Sequence, residues 1–171
     1  MKLTRIFATA LLVLFFISSI LLQPVGAATK YDLPYPGILP DHGLYPIKSA
    51  RDKLWLFVTR DHIHKMELLL LLSDKHLAMA RLLVNNGKDG LGGENALKAE
   101  RLSSEMIDIM GTATKQGAAP KGDFVTQVKL SNKKHREIIE ATLTTVPKNK
   151  QADLKKALML NKKLKDRLAK L

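Results

Sequence analysis

The sequence predicts an all-α fold: a helical bundle of four longer helices plus a short first helix, with an extended Pro/Tyr-rich N-terminal arm. Three observations predict it. Apolar residues from Pro46 onward recur at spacings of three and four, the period of a helix with a buried stripe. No segment alternates apolar and polar residues for long enough to make a strand. Glycine, proline, asparagine and aspartate cluster between the periodic stretches, where they end one helix and start the next.

The first element stands apart from the bundle. Residues 1–27 open on a short basic stretch, "MKLTR", and continue with a 17-residue apolar run from Ile6 to Leu22. They close on "QPVGA", with Val25 and Ala27 placed for an A-x-A-like cleavage site. That is the layout of a secretory signal peptide. The run also approaches the length of a membrane span, so an uncleaved anchor is the alternative. Either way the rest of the chain is expected to be extracytoplasmic, secreted or tethered by its N-terminal segment. The sequence has no cysteine, which excludes a lipidated cleavage site, a disulfide framework and thiolate metal sites.

Residues 28–45 form the arm. It holds all three tyrosines, and Pro34, Pro36 and Pro40 each fix φ and push the preceding residue out of the helical region. Pro36 and Gly37 suit a type II turn. Leucines interleave with the tyrosines, so Leu39, Leu44, Tyr45 and Trp55 are expected to dock the arm against the bundle. Tyr31 and Tyr35 are left as its exposed contacts.

Residues 46–171 make the bundle. Pro46 suits a first helical turn, and Ile47, Ala50, Leu54, Phe57 and Val58 give the short first helix a stripe expected to be buried. Asp61 caps the second helix, which reaches Val84 and stops at "NNG". Its centre, "MELLLLLSDKHLAMARLLV", is apolar on every side and needs neighbours all round. Lys65, Glu67, Asp74, Lys75 and Arg81 keep it out of a membrane. "NNGKDGLGG" reads as a flexible loop, with a third helix from about Glu94 to Met110 or a turn beyond. Its stripe is Ala99, Leu102, Met106, Ile109 and Ala113. The fourth helix runs from near Asp123 to just before Pro147, with Phe124, Val128, Ser131, His135, Ile138, Ile139 and Thr142 near one face. The last, from about Asn149 to Leu171, aligns Leu154, Ala157, Asn161, Leu164, Leu168 and Leu171.

No catalytic, cofactor-binding or metal-ligating set emerges from these residues. His62 and His64 point roughly 160° apart on a helix, and the other three histidines lie elsewhere, so all five read as capping or solvated. "KDGLGGEN" lacks the strand, the Lys-Ser/Thr and the alternating carboxylates of phosphate or calcium loops. Glu137 and Glu140 read as ion-paired with Lys133 and Arg136, and no serine sits in a nucleophile-elbow setting. An enzyme is not expected.

Charge is the unusual property. The whole chain carries a formal +12, and the last stretch, Lys148 to Leu171, holds nine Lys and Arg against two Asp. A basic helix with one leucine stripe is either a solvated outer helix or a contact for a polyanion. Lys155, Lys156, Lys162, Lys163 and Lys165 are the candidate binding surface, together with Tyr31 and Tyr35. The partner class is a protein or an anionic envelope component, either lipid head groups or a wall polymer. Nucleic acid fits poorly, because this region has no aromatic residues for base stacking.

Two stretches carry a resemblance. One is "LPYPGILPDHGLYPIKSARDKLW" with the helix "KMELLLLLSDKHLAMARLL"; the other is "KKHREIIEATLTTVPKNKQADLKKALMLNKKLKDRLAKL". Together they resemble the DUF5667 family of bacterial exported or membrane-anchored domains. The match takes in Pro36, Gly37, Leu39, Pro40, Leu44, Tyr45 and Lys48, then His135, Ile139, Val146 and Pro147. The resemblance implies one all-helical extracytoplasmic domain and brings no catalytic residues. The last helix is more lysine-rich than that pattern. The expected role is therefore non-enzymatic binding at the cell envelope, with a signal-anchored sensor or regulator ectodomain as the alternative.

Overall fold

The computed structural model describes residues 29–170; the signal-like segment lies outside the described residues. The chain from Thr29 runs as an arm into five helices. These are α1 (Tyr45–Val58), α2 (His62–Asn85), α3 (Asp89–Lys115), α4 (Gly122–Thr145) and α5 (Ala152–Leu168), with a single 3₁₀ turn, Lys148–Lys150, before α5. No strand occurs among the described residues. The all-α bundle of four longer helices and a short first one is the observed architecture.

Local chemistry places the helix ends. Asp61 caps α2, its carboxylate accepting from the His64 amide at 2.8 Å. Gly87, at φ 75°, closes α2 with the paired bonds Gly87 N–H to Val84 O and Lys88 N–H to Leu83 O, both 2.8 Å. Gly117, at φ 78°, repeats this arrangement at the end of α3. Both positions need the left-handed backbone that glycine adopts without strain.

The four long helices pack as a ring: α2 on α3, α3 on α5, α5 on α4, and α4 back on α2. α2 and α5 therefore occupy opposite corners. One core joins Met66, Leu69, Leu70, Met106, Ile107, Met110, Val128, Leu164 and Leu168. The other joins Leu77, Ala80, Ala96, Ala99, Ile138, Ile139, Val146, Leu154 and Ala157. The expected stripes of α4 and α5 are buried as read, from Val128 to Thr142 and from Leu154 to Leu168. α2 is buried on most of its circumference, because the arm and α1 cover the side that α3 and α4 leave open.

Two expectations are corrected. "KDGLGG" is not a flexible loop: α3 begins at Asp89, and Gly90, Gly92 and Gly93 are helical. These glycines serve proximity. A Cβ on Gly92 would stand 2.4 Å from Val84 Cγ2 and 3.0 Å from the Ala80 carbonyl oxygen. On Gly93 it would stand 3.5 Å from Asp153 Cβ, so α3 starts pressed between the end of α2 and the start of α5.

The second correction concerns α1. Its apolar stripe is real but faces outward: Ile47 is 69% exposed, Leu54 62%, Phe57 82% and Val58 56%. The face turned to the bundle carries Lys48, which is buried, with Tyr45, Ser49 and Asp52 partly so. Leu56 alone of the large aliphatic residues in α1 reaches a core.

Candidate functional site

The arm is held by polar contacts the sequence did not advertise. Gly37, at φ 72°, turns the chain so that the carbonyls of Pro36 and Ile38 both face Lys48. The Lys48 ammonium donates to them at 2.8 and 3.1 Å, lies 3.5 Å from Met79 Sδ and sits 5.7 Å from the centre of the Tyr45 ring. Burial lowers its pKa, yet the two carbonyls and the ring face supply what water would. At the arm's start the Thr29 backbone N–H and hydroxyl both donate to Glu137 of α4. At its far end Asp41 pairs with Lys88.

These contacts revise the expected docking set. Leu39 and Tyr45 are partly buried, but Leu44 and Trp55 are 53% and 50% exposed and do not anchor the arm. Trp55 lies along a groove with Leu68 and Leu71 of α2. Tyr31, expected to be exposed, is half-buried and donates its hydroxyl to Asp74. Burial, followed by the charge of Asp74, pushes its pKa up. Tyr35 is exposed as expected, and shares a shallow groove with Ile38, Leu44 and Ile47.

Asp74 leads into a buried polar hub. His135 of α4 is fully buried and donates from both ring nitrogens, through Nε2 to Asp74 Oδ1 at 2.9 Å and through Nδ1 to Glu100 Oε1 at 2.8 Å. Ser131 adds a bond to Asp74 Oδ1 at 2.7 Å, and the Asn161 amide reaches Glu100 Oε2 at 3.2 Å. One hub thus ties α2, α3, α4, α5 and the arm together. Burial alone would favour a neutral ring, but hydrogen bonds and charge from Asp74 and Glu100 outweigh it and raise the His135 pKa to about 9. Such an imidazolium has no free lone pair and cannot act as a base. An open groove of about 660 Å³, lined by Tyr31, Glu67, Leu70, Asp74, Phe124 and Gln127, lies over the hub.

His76 is the second buried histidine. Its Nδ1 pairs with Asn95 Oδ1 at 2.9 Å, while burial, with a contribution from Lys98, lowers its pKa to about 4. Reading all five histidines as capping or solvated was therefore wrong for two of them. Placement on a buried helical stripe was the signal that marked His135. Among the described residues no three His, Asp or Glu side chains converge as a metal site.

On the far side of the bundle, Lys155, Lys156, Lys162, Lys163 and Lys165 are all exposed around the outward Met159. Lys156 is drawn to Asp153 at 3.0 Å. Lys165 belongs to a groove of about 320 Å³ between α4 and α5, whose other linings are Lys129, Asn132, Lys133, Arg136, Leu168 and Ala169. Four cations meet there without a carboxylate, and none of the four is ion-paired among the described residues. The expected pairing of Glu137 with Lys133 is replaced by Lys134, at 3.7 Å, and by Thr29. Spacing within α4 could not reveal the groove, since α5 supplies its other wall.

A family model described as "Domain of unknown function (DUF5667)" matches residues 37–149, which takes in Gly37, Ile38 and Lys48 of the arm clamp, α1 to α4 and the start of the 3₁₀ turn. No curated protein and no solved structure matches the chain. No described helix is long and apolar enough to cross a membrane.

Proposed function

We propose that this chain, which belongs to the DUF5667 family, is a non-enzymatic extracytoplasmic domain that binds an anionic component of the cell envelope through the α4–α5 face. One observation carries the reading: Lys129, Lys133, Arg136 and Lys165 converge on one groove that no carboxylate lines among the described residues. Like charges held together at a surface raise the local potential and favour an incoming anion. Asn132, itself buried, forms part of the floor, and the exposed lysines of α5 extend the positive field beyond the groove. The ligand chemistry is a phosphate- or carboxylate-bearing surface, lipid head group or wall polymer. The signal-like residues 1–27 support the location. His135 is not available as a general base, because both its nitrogens are committed as donors.

Binding to anionic vesicles and to an anionic wall polymer such as a teichoic acid tests this, titrated against salt. The expected result is affinity that falls as salt rises. A variant carrying Lys129→Gln, Lys133→Gln, Arg136→Gln and Lys165→Gln should bind the polymer, the vesicles or both more weakly, while melting like the parent. Equal binding by that variant overturns the proposal. Loss of binding only on replacing Lys155, Lys156, Lys162 and Lys163 would move the site to the outer face of α5.

A further inference from the structure

An amphipathic helix that turns its polar face inward needs something on its apolar face. Ile47, Leu54, Phe57 and Val58 lie on the outer side of α1, with Leu44 and Trp55 at one margin. The patch continues into the arm, where Tyr35 is 82% and Ile38 38% exposed, beside a groove shared with Leu44 and Ile47. Scattered single exposures need no explanation, but a contiguous apolar patch marks a binding surface. We propose that this patch is a membrane-docking face: α1 lies in the interfacial layer of an anionic bilayer, with the arm's Tyr35 and Ile38 beside it.

Charge decides between occupants. Arg51 stands within the apolar arc, Lys53 and Arg60 flank it, and all three are exposed. Among nearby carboxylates, Asp52 is turned partly inward and held by Arg51 at 2.7 Å, while Asp61 and Glu67 lie only on the Trp55 side, in the groove toward α2, with Arg60 beside them. Two copies of this face would set cations against cations. Anionic head groups instead complement the rim while the acyl boundary takes the leucine, isoleucine and phenylalanine, which is how interfacial helices bind. Trp55, half exposed at the margin, has the amphipathic character that favours this layer. Tyr35 thus keeps the contact role read from the sequence. This inference uses the extracytoplasmic location proposed above but not the α4–α5 groove.

The sole tryptophan is the probe. The chain from Ala28 is suitable, because both cores and the arm clamp lie within residues 33–168. Mixed with phosphatidylglycerol vesicles, Trp55 emission should shift to the blue and be quenched by brominated acyl chains; phosphatidylcholine alone should give a weaker response. A variant carrying Ile47→Gln, Leu54→Gln and Phe57→Gln should melt like the parent, as these side chains point outward. It should bind at least about tenfold more weakly, because three large apolar side chains no longer leave water for the acyl boundary. Unchanged Trp55 emission on bound vesicles, with binding lost only in the α4–α5 variant, would overturn the α1 inference and leave the envelope reading standing. A dimer dispersed by the triple variant, without vesicle binding, would make a second copy the occupant and overturn it as well. Unchanged vesicle and polymer binding by the α4–α5 variant, with the Trp55 response intact, would sink the earlier proposal and sustain this one.

Discussion

Replacing His135 should reveal what the buried hub contributes, and pH should report it independently of any mutation. The ring's pKa is about 9 in the fold against 6.5 for the ordinary side chain. A group bound more tightly to its proton in the folded state stabilises that state fully below its unfolded pKa, and the contribution is lost as pH rises through the folded pKa. The window is therefore pH 6.5 to 9. At about 1.4 kcal/mol per pH unit the gap amounts to roughly 3 kcal/mol, a large share of the ~5–15 kcal/mol by which domains are stable. Urea unfolding of the chain from Ala28 should show stability falling by about that amount across the window. His135→Gln, measured at pH 6.5, leaves Asp74 and Glu100 without the imidazolium between them, and breaking such a buried pair costs about 3–5 kcal/mol. The acid side belongs to His76, whose pKa of about 4 lies below 6.5, so its neutral burial weakens the fold as pH drops from 6.5 to 4. Together the two histidines place the stability maximum near pH 6.5. A flat profile between pH 6.5 and 9, or a His135→Gln cost under about 1 kcal/mol, would show that the hub is not charged as argued.

Two further substitutions test the arm and the close-packed glycines. Lys48→Met keeps the stem but strands the Pro36 and Ile38 carbonyls, so it should cost about 1–3 kcal/mol and expose residues 29–45 to limited proteolysis; unchanged melting and cleavage would mean the clamp is idle. Gly92→Ala drives a methyl into Val84 and the Ala80 carbonyl and should lower stability by about 1–3 kcal/mol. Gly111→Ala, in the same helix with open space around it, should raise stability by about 0.5–1 kcal/mol, and effects of the same sign would remove the proximity argument.

The long helices were legible because their signals are local. A three-four spacing, an Asp before a helix and an Asn-Asn-Gly after one act within a few residues, and α2, α4 and α5 follow them closely. What failed was information supplied from a distance. Periodicity shows that α1 has two faces but not which one meets the bundle. That choice is made by Lys48, whose partners are carbonyls 10 and 12 residues upstream. Gly92 and Gly93 read as loop residues because nothing in "DGLGG" announces that Val84 and Asp153 will press on them. Lys133 and Arg136 read as helix-surface pairs because Lys165 lies about 30 residues further along the chain. In each case the deciding partner sits on another element.

The two proposed surfaces gain meaning from their separation. α1 packs on α2, while the lysine face and its groove belong to α5 and the adjoining edge of α4. α2 and α5 sit at opposite corners of the ring, so a flat bilayer under α1 leaves the α5 lysines turned away from it. If both proposals hold, the groove's ligand is not the lipid that carries α1 but an anionic polymer on the opposite side. The two contacts should also differ in kind. The groove's four cations, unpaired among the described residues, would hold a ligand through charge, which salt screens within a Debye length of about 8 Å at physiological ionic strength. The apolar side of α1 would hold mainly through buried area, which salt does not weaken, with Arg51, Lys53 and Arg60 adding a smaller salt-sensitive part. Rising salt should release the polymer first and leave the chain on the membrane. That order distinguishes a two-sided adaptor from a domain with one electrostatic face.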